Sequence, residues 1–481
     1  VALREDTDVN PRIAGASPGR LPTLILRLAL VYAAGLLLYG VWAQRTVYSV
    51  LLLSVVLLLV WVMRLGPVHR SRAAFVLCSA AAAVYLCETA LALAMPFRAG
   101  AAASVDGRAY DSRTYHRVVR ELRASGDDAY PCLFPRALLA APAPALSVLP
   151  LGSVAGVTSV YCNESGEYLI YRSDEHGFHN PPGMWDSPLD VAIVGDSFAQ
   201  GACVESSKNF AALIRRRHPR TLNLGMGGNG PLLSLASMQE YLPDLRPRTI
   251  LWFFYEGNDL DDLGDEFEHP VLRRYLQEPD FRQGLRGSQP EIDVALRQYG
   301  DSSLDLSSAA APALDSLVHR LDLRTTLLRA ARLSHLRGIA NQVFDDPLGY
   351  SVRDEADQIA RLGAVLERAR STAETWGGTV YFVVLPSWDL AVRESGRRKR
   401  SVESSLEAAR KAGVPALDLT DALRSAPDRN ETFYYPGSHY SETGHRIVAE
   451  TVLDQLAPAL SAGSHEADTL QSDVDQPQQV R

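Results

Sequence analysis

The sequence predicts an α/β domain on a doubly wound parallel sheet, with a helical insertion, preceded by three transmembrane helices. Three observations predict it. From residue 190 to 460, short continuous apolar runs alternate with helical patterns. Before residue 96 stand three long apolar runs nearly free of charge. More than 100 residues separate the third and fourth apolar strands, too many for a simple crossover.

The 481 residues are enough for more than one core. A formal charge of −8 gives no reason to expect nucleic acid as a partner. The basic residues are almost all arginine, with Lys208, Lys399 and Lys411 the lysines. Five cysteines stand at 78, 87, 132, 162 and 203 without a CxxC pair, which suggests neither a zinc site nor a redox motif. One disulfide among Cys132, Cys162 and Cys203 is possible, and spacing does not choose it.

The apolar runs cover 23–43, 47–63 and 73–95. A span needs about 20 apolar residues, with a lower limit near 17, so the second run sits at that limit. Trp42 and Trp61 fall at run ends, where aromatic belts form. Arg4, Arg12 and Arg20 in the tail 1–22, and Arg64, Arg70 and Arg72 after the second run, share one side of a three-span arrangement. The loop between the first two runs has Arg45 alone. The positive-inside rule therefore expects a cytoplasmic N-terminus, a multi-pass inner-membrane anchor over 23–96, and everything beyond on the outside. Glu88 is costly in hydrocarbon and is expected against a neighbouring helix or near the outer surface.

Residues 97–168 read as a juxtamembrane helix, "SRTYHRVVRELRAS", followed by a Pro-Ala linker. The globular domain is expected over 169–460. Its strands are placed at 190–196, 221–225, 249–256, 379–386 and 415–420, and continuous apolar runs suit a sheet covered on both faces. Helices are placed at about 207–217, 231–242, 353–376, 400–412 and 442–459. Residues 260–350 read as a mostly helical insertion that could cap the site, and 461–481 as a disordered tail.

Ligands of such sheets bind at the strands' C-terminal ends. There the first strand ends in "GDSFAQG", presenting Ser197 at the opening of a helix. The second ends in "NLGMGGNGP", whose small residues let backbone N–H groups approach a reacting centre. The third ends in "YEGNDL", where the Asn258 amide could donate to a developing oxyanion. After the last strand, "YYPGSHYSETGH" holds His439 just before a helix with Ser441 as its cap. Asp196 and Asp259 are expected to brace their turns, and His445 and Glu442 to be solvated. The acidic run 259–269 lacks an ordered ligand spacing, so no metal is expected there, nor any cofactor elsewhere.

This ordering of nucleophile, Gly-rich turn, Asn and His resembles the SGNH (GDSL-type) hydrolase superfamily, over about 169–460. The segment "RSDEHGFHN", 172–180, looks like the lead-in of membrane-anchored and secreted members. The resemblance implies the flavodoxin-like doubly wound parallel sheet of the SGNH hydrolase fold. It implies Ser197 as nucleophile, His439 as general base, and an oxyanion hole from Ser197, Gly228 and Asn258. One position departs from the pattern: three residues before His439, where the family has Asp, stands Pro436. A backbone carbonyl, or an acid from elsewhere such as Asp418 or Asp421, would then orient His439.

The resemblance further implies an extracytoplasmic serine esterase acting on an O-acylated envelope glycan or lipid. The alternatives are an O-acyltransferase on surface polysaccharide, served by an acyl-donor partner protein, and a non-catalytic glycan-binding or assembly protein with a degenerate site. Its expected partners are the lipid bilayer and the acylated substrate.

Overall fold

The computed structural model describes residues 20–42, 46–94, 100, 102–103, 107, 109–140, 146–185, 188–308, 333, 336 and 352–461. The tail arginines Arg4 and Arg12, the tail beyond 461 and most of the second half of the insertion lie outside them. The chain divides into two compact units: 1–92 with 326–354, and 93–325 with 355–481.

In the first unit, α1 (Arg20–Trp42), α2 (Thr46–Met63) and α3 (Pro67–Ala94) form where the apolar runs were found. Leu26, Ala33, Leu59 and Ala74 make a small packed seam, while Leu24, Leu28, Val31, Leu57, Leu58 and Leu86 face outward. Only 11 % of the apolar window of α1 or α3 is buried, which separates both from the core helix of a soluble protein. Two helices, over Arg20–Tyr39 and Pro67–Leu91, are long and apolar enough to cross a membrane. The apolar part of α2, Ser49–Met63, is shorter, so among the described residues two candidate spans stand where three were expected. Glu88 is buried and accepts the backbone N–H of Leu336 at 2.8 Å.

The second unit is built on a five-stranded parallel sheet. Its strands are β4 (Val191–Val194), β5 (Thr221–Asn223), β6 (Thr249–Tyr255), β7 (Thr379–Leu385) and β8 (Ala416–Asp418). They lie in the order β5-β4-β6-β7-β8, the flavodoxin-like arrangement, whose switch point falls at β4. Val191 registers with Thr221 on one side and Thr249 on the other. Alternate side chains serve two cores. Ala192, Val194, Ile250, Trp252, Phe254, Phe382 and Val384 pack on one face; Val191, Ile193, Leu251, Phe253, Val383 and Leu385 pack on the other. The strand sequences are continuously apolar because neither face meets water.

Helices Pro231–Tyr241, Val352–Glu374 and Gly396–Lys411 cover the first face. Phe210–Arg217 and Glu442–Gln455 cover the second. The described part of the insertion forms helices Asp259–Phe267, Pro270–Gln277 and Gln289–Ser308. Leu263, Leu272, Tyr275, Leu285, Ile292 and Leu296 build it into the first core, so this part is core structure and not a detached cap.

Around the Pro-Ala residues 141–145, which lie outside the described residues, the stretches 109–140 and 146–168 are folded. Helix Tyr115–Ala124 is capped by Thr114, whose hydroxyl accepts the Arg117 N–H. β1 (Ala129–Pro131) pairs parallel with β2 (Thr158–Val160), which pairs antiparallel with β3 (Ile170–Arg172). Leu138, Leu151, Val154 and Val157 join the first core. Between 146 and 160 the sequence shows Pro, Gly and small residues without helical or alternating periodicity, so apolar side chains alone betray this burial.

Candidate active site

β4 ends in Gly195, whose φ of +151° an L side chain rarely adopts. A Cβ there would lie 2.8 Å from the Phe253 carbonyl oxygen. This sharp exit lets Asp196 cap the short helix Ser197–Gln200 by accepting the Phe198 N–H at 2.9 Å. Ser197 occupies the first helical position, where the backbone N–H has no intrahelical acceptor.

The neighbouring strands deliver their own ends to the same edge. β5 and β6 flank β4, with strands spaced about 4.8 Å apart, so Gly228 and Asn258 emerge on either side of Ser197. The β5 loop is locked onto the helix Ser197–Gln200. Asn223 donates its amide to the Ala199 carbonyl at 2.7 Å, and Gln200 accepts the Gly227 N–H at 2.8 Å. Gly228 has φ +75°, and a Cβ on it would meet Arg136 Cδ at 3.1 Å. Asn258 precedes helix Asp259–Phe267 and donates its amide to the Asp262 carboxylate. Asp262 is held in turn by Arg136 at 2.5 Å. Asp259 accepts the Tyr255 N–H at 3.0 Å, bracing the turn as expected.

His439 arrives from the far end of the chain. A bridge between Phe433 and Tyr440 closes its turn, and Ser441 caps the following helix as expected. Nε2 of His439 accepts from Ser197 Oγ at 2.8 Å. Nδ1 donates to Glu164 Oε2 at 3.0 Å, and the His439 backbone N–H reaches the same oxygen at 2.8 Å. Serine, histidine and carboxylate thus form one continuous chain of hydrogen bonds, and this pattern assigns the proton of neutral His439 to Nδ1.

Glu164 was not among the acids expected from the sequence, and this corrects the expectation. Asp418 spends its carboxylate on the Thr420 N–H at 2.8 Å and the Thr420 hydroxyl at 2.5 Å. Asp421 lies in the first turn of helix Thr420–Arg424. Neither orients His439, because Nδ1 is already taken. Glu164 sits in the turn between β2 and β3, and the Cys162–Cys203 disulfide pins that turn to the loop after Ser197. The disulfide was the only available clue: pairing Cys162 with Cys203, rather than either with Cys132, brings Glu164 toward Ser197.

Electrostatics follow this geometry. Burial opposes a charged His439, but the Glu164 carboxylate and its hydrogen bond outweigh burial and raise the imidazole pKa. Burial likewise opposes charge on Glu164, and the same partner holds its pKa below the ordinary value. Burial raises the Asp196 pKa, and the Phe198 N–H that this carboxylate accepts opposes the rise. His445 departs from expectation. It is fully buried, its Nδ1 accepts the Phe210 N–H at 3.3 Å, and burial depresses its pKa to about 3. Glu442 is exposed and paired with Lys208 at 2.8 Å.

The "RSDEHGFHN" segment supports the site from behind. Asp174 gathers the N–H groups of His176 and Phe178 and the Asn180 amide. Asn180 bonds both backbone groups of Asn223, at 2.8 Å each. His179 donates to the Gln200 carbonyl at 2.8 Å. Glu164, Cys203 and His439 place ligand-type atoms within 4.8 Å of one another, but a disulfide sulfur is not a thiolate ligand, so the donor set does not suit a metal. A cavity of about 870 Å³ opens beside the His439 turn, walled by Trp388, Phe433, Tyr434, Tyr435 and Pro436, with Ser165 at its edge.

A doubly wound sheet with a hydrogen-bonded Ser–His–Glu chain at its switch point defines a serine hydrolase architecture. Residues 193–447 match the model of the GDSL-like lipase/acylhydrolase family, and the chain belongs to that family. It is accordingly a hydrolase of ester bonds. No curated protein matches the sequence. Among solved structures, the chain is similar to the lipase/acylhydrolase from Enterococcus faecalis at 13 % identity, covering 56 % of this chain and 95 % of that one, with a TM-score of 0.30. It is similar to an acetyl xylan esterase from Geobacillus stearothermophilus at 12 % identity, with 56 % and 95 % covered and a TM-score of 0.30.

Proposed function

We propose that this esterase uses Ser197 as nucleophile and His439 as general base, and acts outside the cytoplasm on an O-acylated envelope glycan or lipid. The observation that carries the catalytic assignment is the chain Ser197 Oγ–His439 Nε2, 2.8 Å, and His439 Nδ1–Glu164, 3.0 Å. His439 takes the Ser197 proton as Oγ attacks the ester carbonyl. The Ser197 and Gly228 N–H groups and the Asn258 amide stabilise the oxyanion. The imidazolium, stabilised by Glu164, then protonates the departing alcohol, leaving an acyl-enzyme. Water attacks that ester, His439 takes its proton, and the carboxylic acid is released with Ser197 restored.

The extracytoplasmic reading is supported by two apolar helices ahead of the domain and by a disulfide, a bond that persists in oxidising compartments. The bilayer is then its first partner. A glycan or lipid substrate is supported by the aromatic side chains of the cavity beside the His439 turn, whose faces pack against sugar rings and acyl chains alike.

The test is hydrolysis of p-nitrophenyl acetate by the full chain in detergent micelles, together with labelling by a fluorophosphonate. Turnover and an adduct on Ser197, both lost in Ser197→Ala, are expected. Equal inertness of wild type and Ser197→Ala toward several acyl esters overturns the catalytic assignment.

A further inference from the structure

Three loops carry the Ser197, His439 and Glu164 chain, and Cys203 is tied to all of them. It follows the nucleophile helix Ser197–Gln200. Its sulfur is bonded to Cys162, two positions ahead of Glu164. Its carbonyl accepts the Tyr434 hydroxyl at 2.9 Å, and the Tyr434 N–H bonds the His439 carbonyl at 3.3 Å. Cys203 is buried and holds φ +61°, a left-handed conformation that a side chain disfavours. Such backbone persists where its surroundings over-determine it.

The Glu164 turn, by contrast, leans on its own hairpin and on the backbone at Asp111, and Glu164 itself meets His439. Tyr161 N–H bonds Leu169 O at 2.9 Å, Leu169 N–H bonds Cys162 O at 2.8 Å, and Asn163 reaches the Asp111 carbonyl at 2.8 Å. The covalent tie from this turn toward the nucleophile loop is the disulfide. A tether of that kind holds a group at high effective concentration, and losing it releases the group to water.

We infer that the Cys162–Cys203 disulfide is a positioning element of the active site: it holds Glu164 on His439, so oxidation of this cysteine pair assembles the esterase. The inference rests on the reading of Ser197 and His439 given above. In the oxidation, the two thiols lose two protons and two electrons to a disulfide-bearing oxidant, which leaves as a dithiol. A chain kept in a reducing compartment would then hold its serine and histidine without the carboxylate, and activity would appear after export.

The test uses the full chain in detergent micelles. It compares the oxidised wild type, the wild type reduced with dithiothreitol, Cys162→Ser, Glu164→Gln and the double variant, each with its thermal transition recorded. Reduction or Cys162→Ser is expected to lower kcat/KM about a hundredfold. Either should also move the acid limb of the pH profile to lower pH, as Glu164→Gln does, because His439 loses the partner that raises its pKa. The double variant should fall no further than Glu164→Gln, and reoxidation should restore the wild type.

Folded, reduced protein with wild-type kcat/KM overturns the inference. So does a fall in rate with an unmoved acid limb, or unfolding of both reduced wild type and Cys162→Ser, since a general staple would do the same. Titration of His439, followed by NMR of labelled histidine, reads the Glu164 contact without turnover. An oxidised wild type without Ser197-dependent activity therefore overturns the esterase assignment, while the titration still judges the disulfide: a His439 pKa that falls on reduction supports it, and one that stays overturns it.

Discussion

Replacing Glu164 by Gln keeps the side chain's shape and removes its charge. The imidazolium that Glu164 would stabilise forms during the reaction, opposite a carboxylate oxygen 3.0 Å from Nδ1. With charge centres about 4 Å apart and an effective dielectric near 20, the attraction is worth about 4 kcal/mol. That corresponds to about three powers of ten in rate. The loss should appear in kcat, with KM little changed, because the ground state holds a neutral histidine.

The pH dependence has a fixed sign. The base must be unprotonated, and Glu164 raises the His439 pKa, so Glu164→Gln moves the acid limb to lower pH. Stability responds in a different window. The His439 contribution is full below its ordinary value of 6.5 and is lost as pH rises through its raised folded value. The Glu164 contribution is present above its ordinary value of 4.5 and is lost as pH falls through its depressed folded value. The stability gap between wild type and Glu164→Gln should therefore be widest between 4.5 and 6.5, while the activity gap persists above that range. Steady-state kinetics and thermal melts from pH 4 to about 9 read both. Activity within fivefold of wild type and an unmoved acid limb would refute the role given to Glu164.

Asn258→Ala should lower kcat by about 10²–10³ as one oxyanion donor is removed, and a similar KM would identify the loss as belonging to the transition state. Gly228→Ala puts a Cβ on a φ of +75° backbone and 3.1 Å from Arg136 Cδ, so kcat/KM should fall about tenfold or more and the melting temperature should drop by a few degrees. Glu266 accepts the N–H groups of Gly230, Leu232 and Leu233 at the start of helix Pro231–Tyr241, and Glu266→Ala should cost about 3 kcal/mol in urea unfolding. Ser197→Ala should abolish turnover and the fluorophosphonate adduct while leaving the melting temperature within a few degrees of wild type.

The alternation of strands and helices, the apolar helices and the positions of Ser197, Gly228, Asn258 and His439 were legible in the chain, because each depends on neighbours close in sequence. β4 is continuously apolar because both faces are covered, and a serine after such a strand must emerge at the sheet's edge. Local patterning also marked Ser441 as a helix cap and Asp196 as the brace of its turn, which the structure makes the cap of a short helix. Of the three spans expected from the sequence, two meet both length and composition among the described residues, and the described apolar part of α2 covers Ser49–Met63.

The carboxylate that orients His439 was decided by tertiary structure. Glu164 lies outside the family-matching residues 193–447 and 275 residues from its partner. No periodicity couples a turn between two three-residue strands to a loop at the other end of the domain. The folding of 109–140 and 146–168 onto the sheet makes that coupling, and the disulfide to Cys203 fixes it. The same physics buried His445, whose place on a helix surface in sequence says nothing of the Phe210 ring and N–H that meet it. Sequence by itself determined which residues stand at the ends of the strands, since burial of a strand is written in its own side chains. Only the tertiary structure decided which acid completes the site, since hydrogen bonds between distant loops leave no trace in either loop alone.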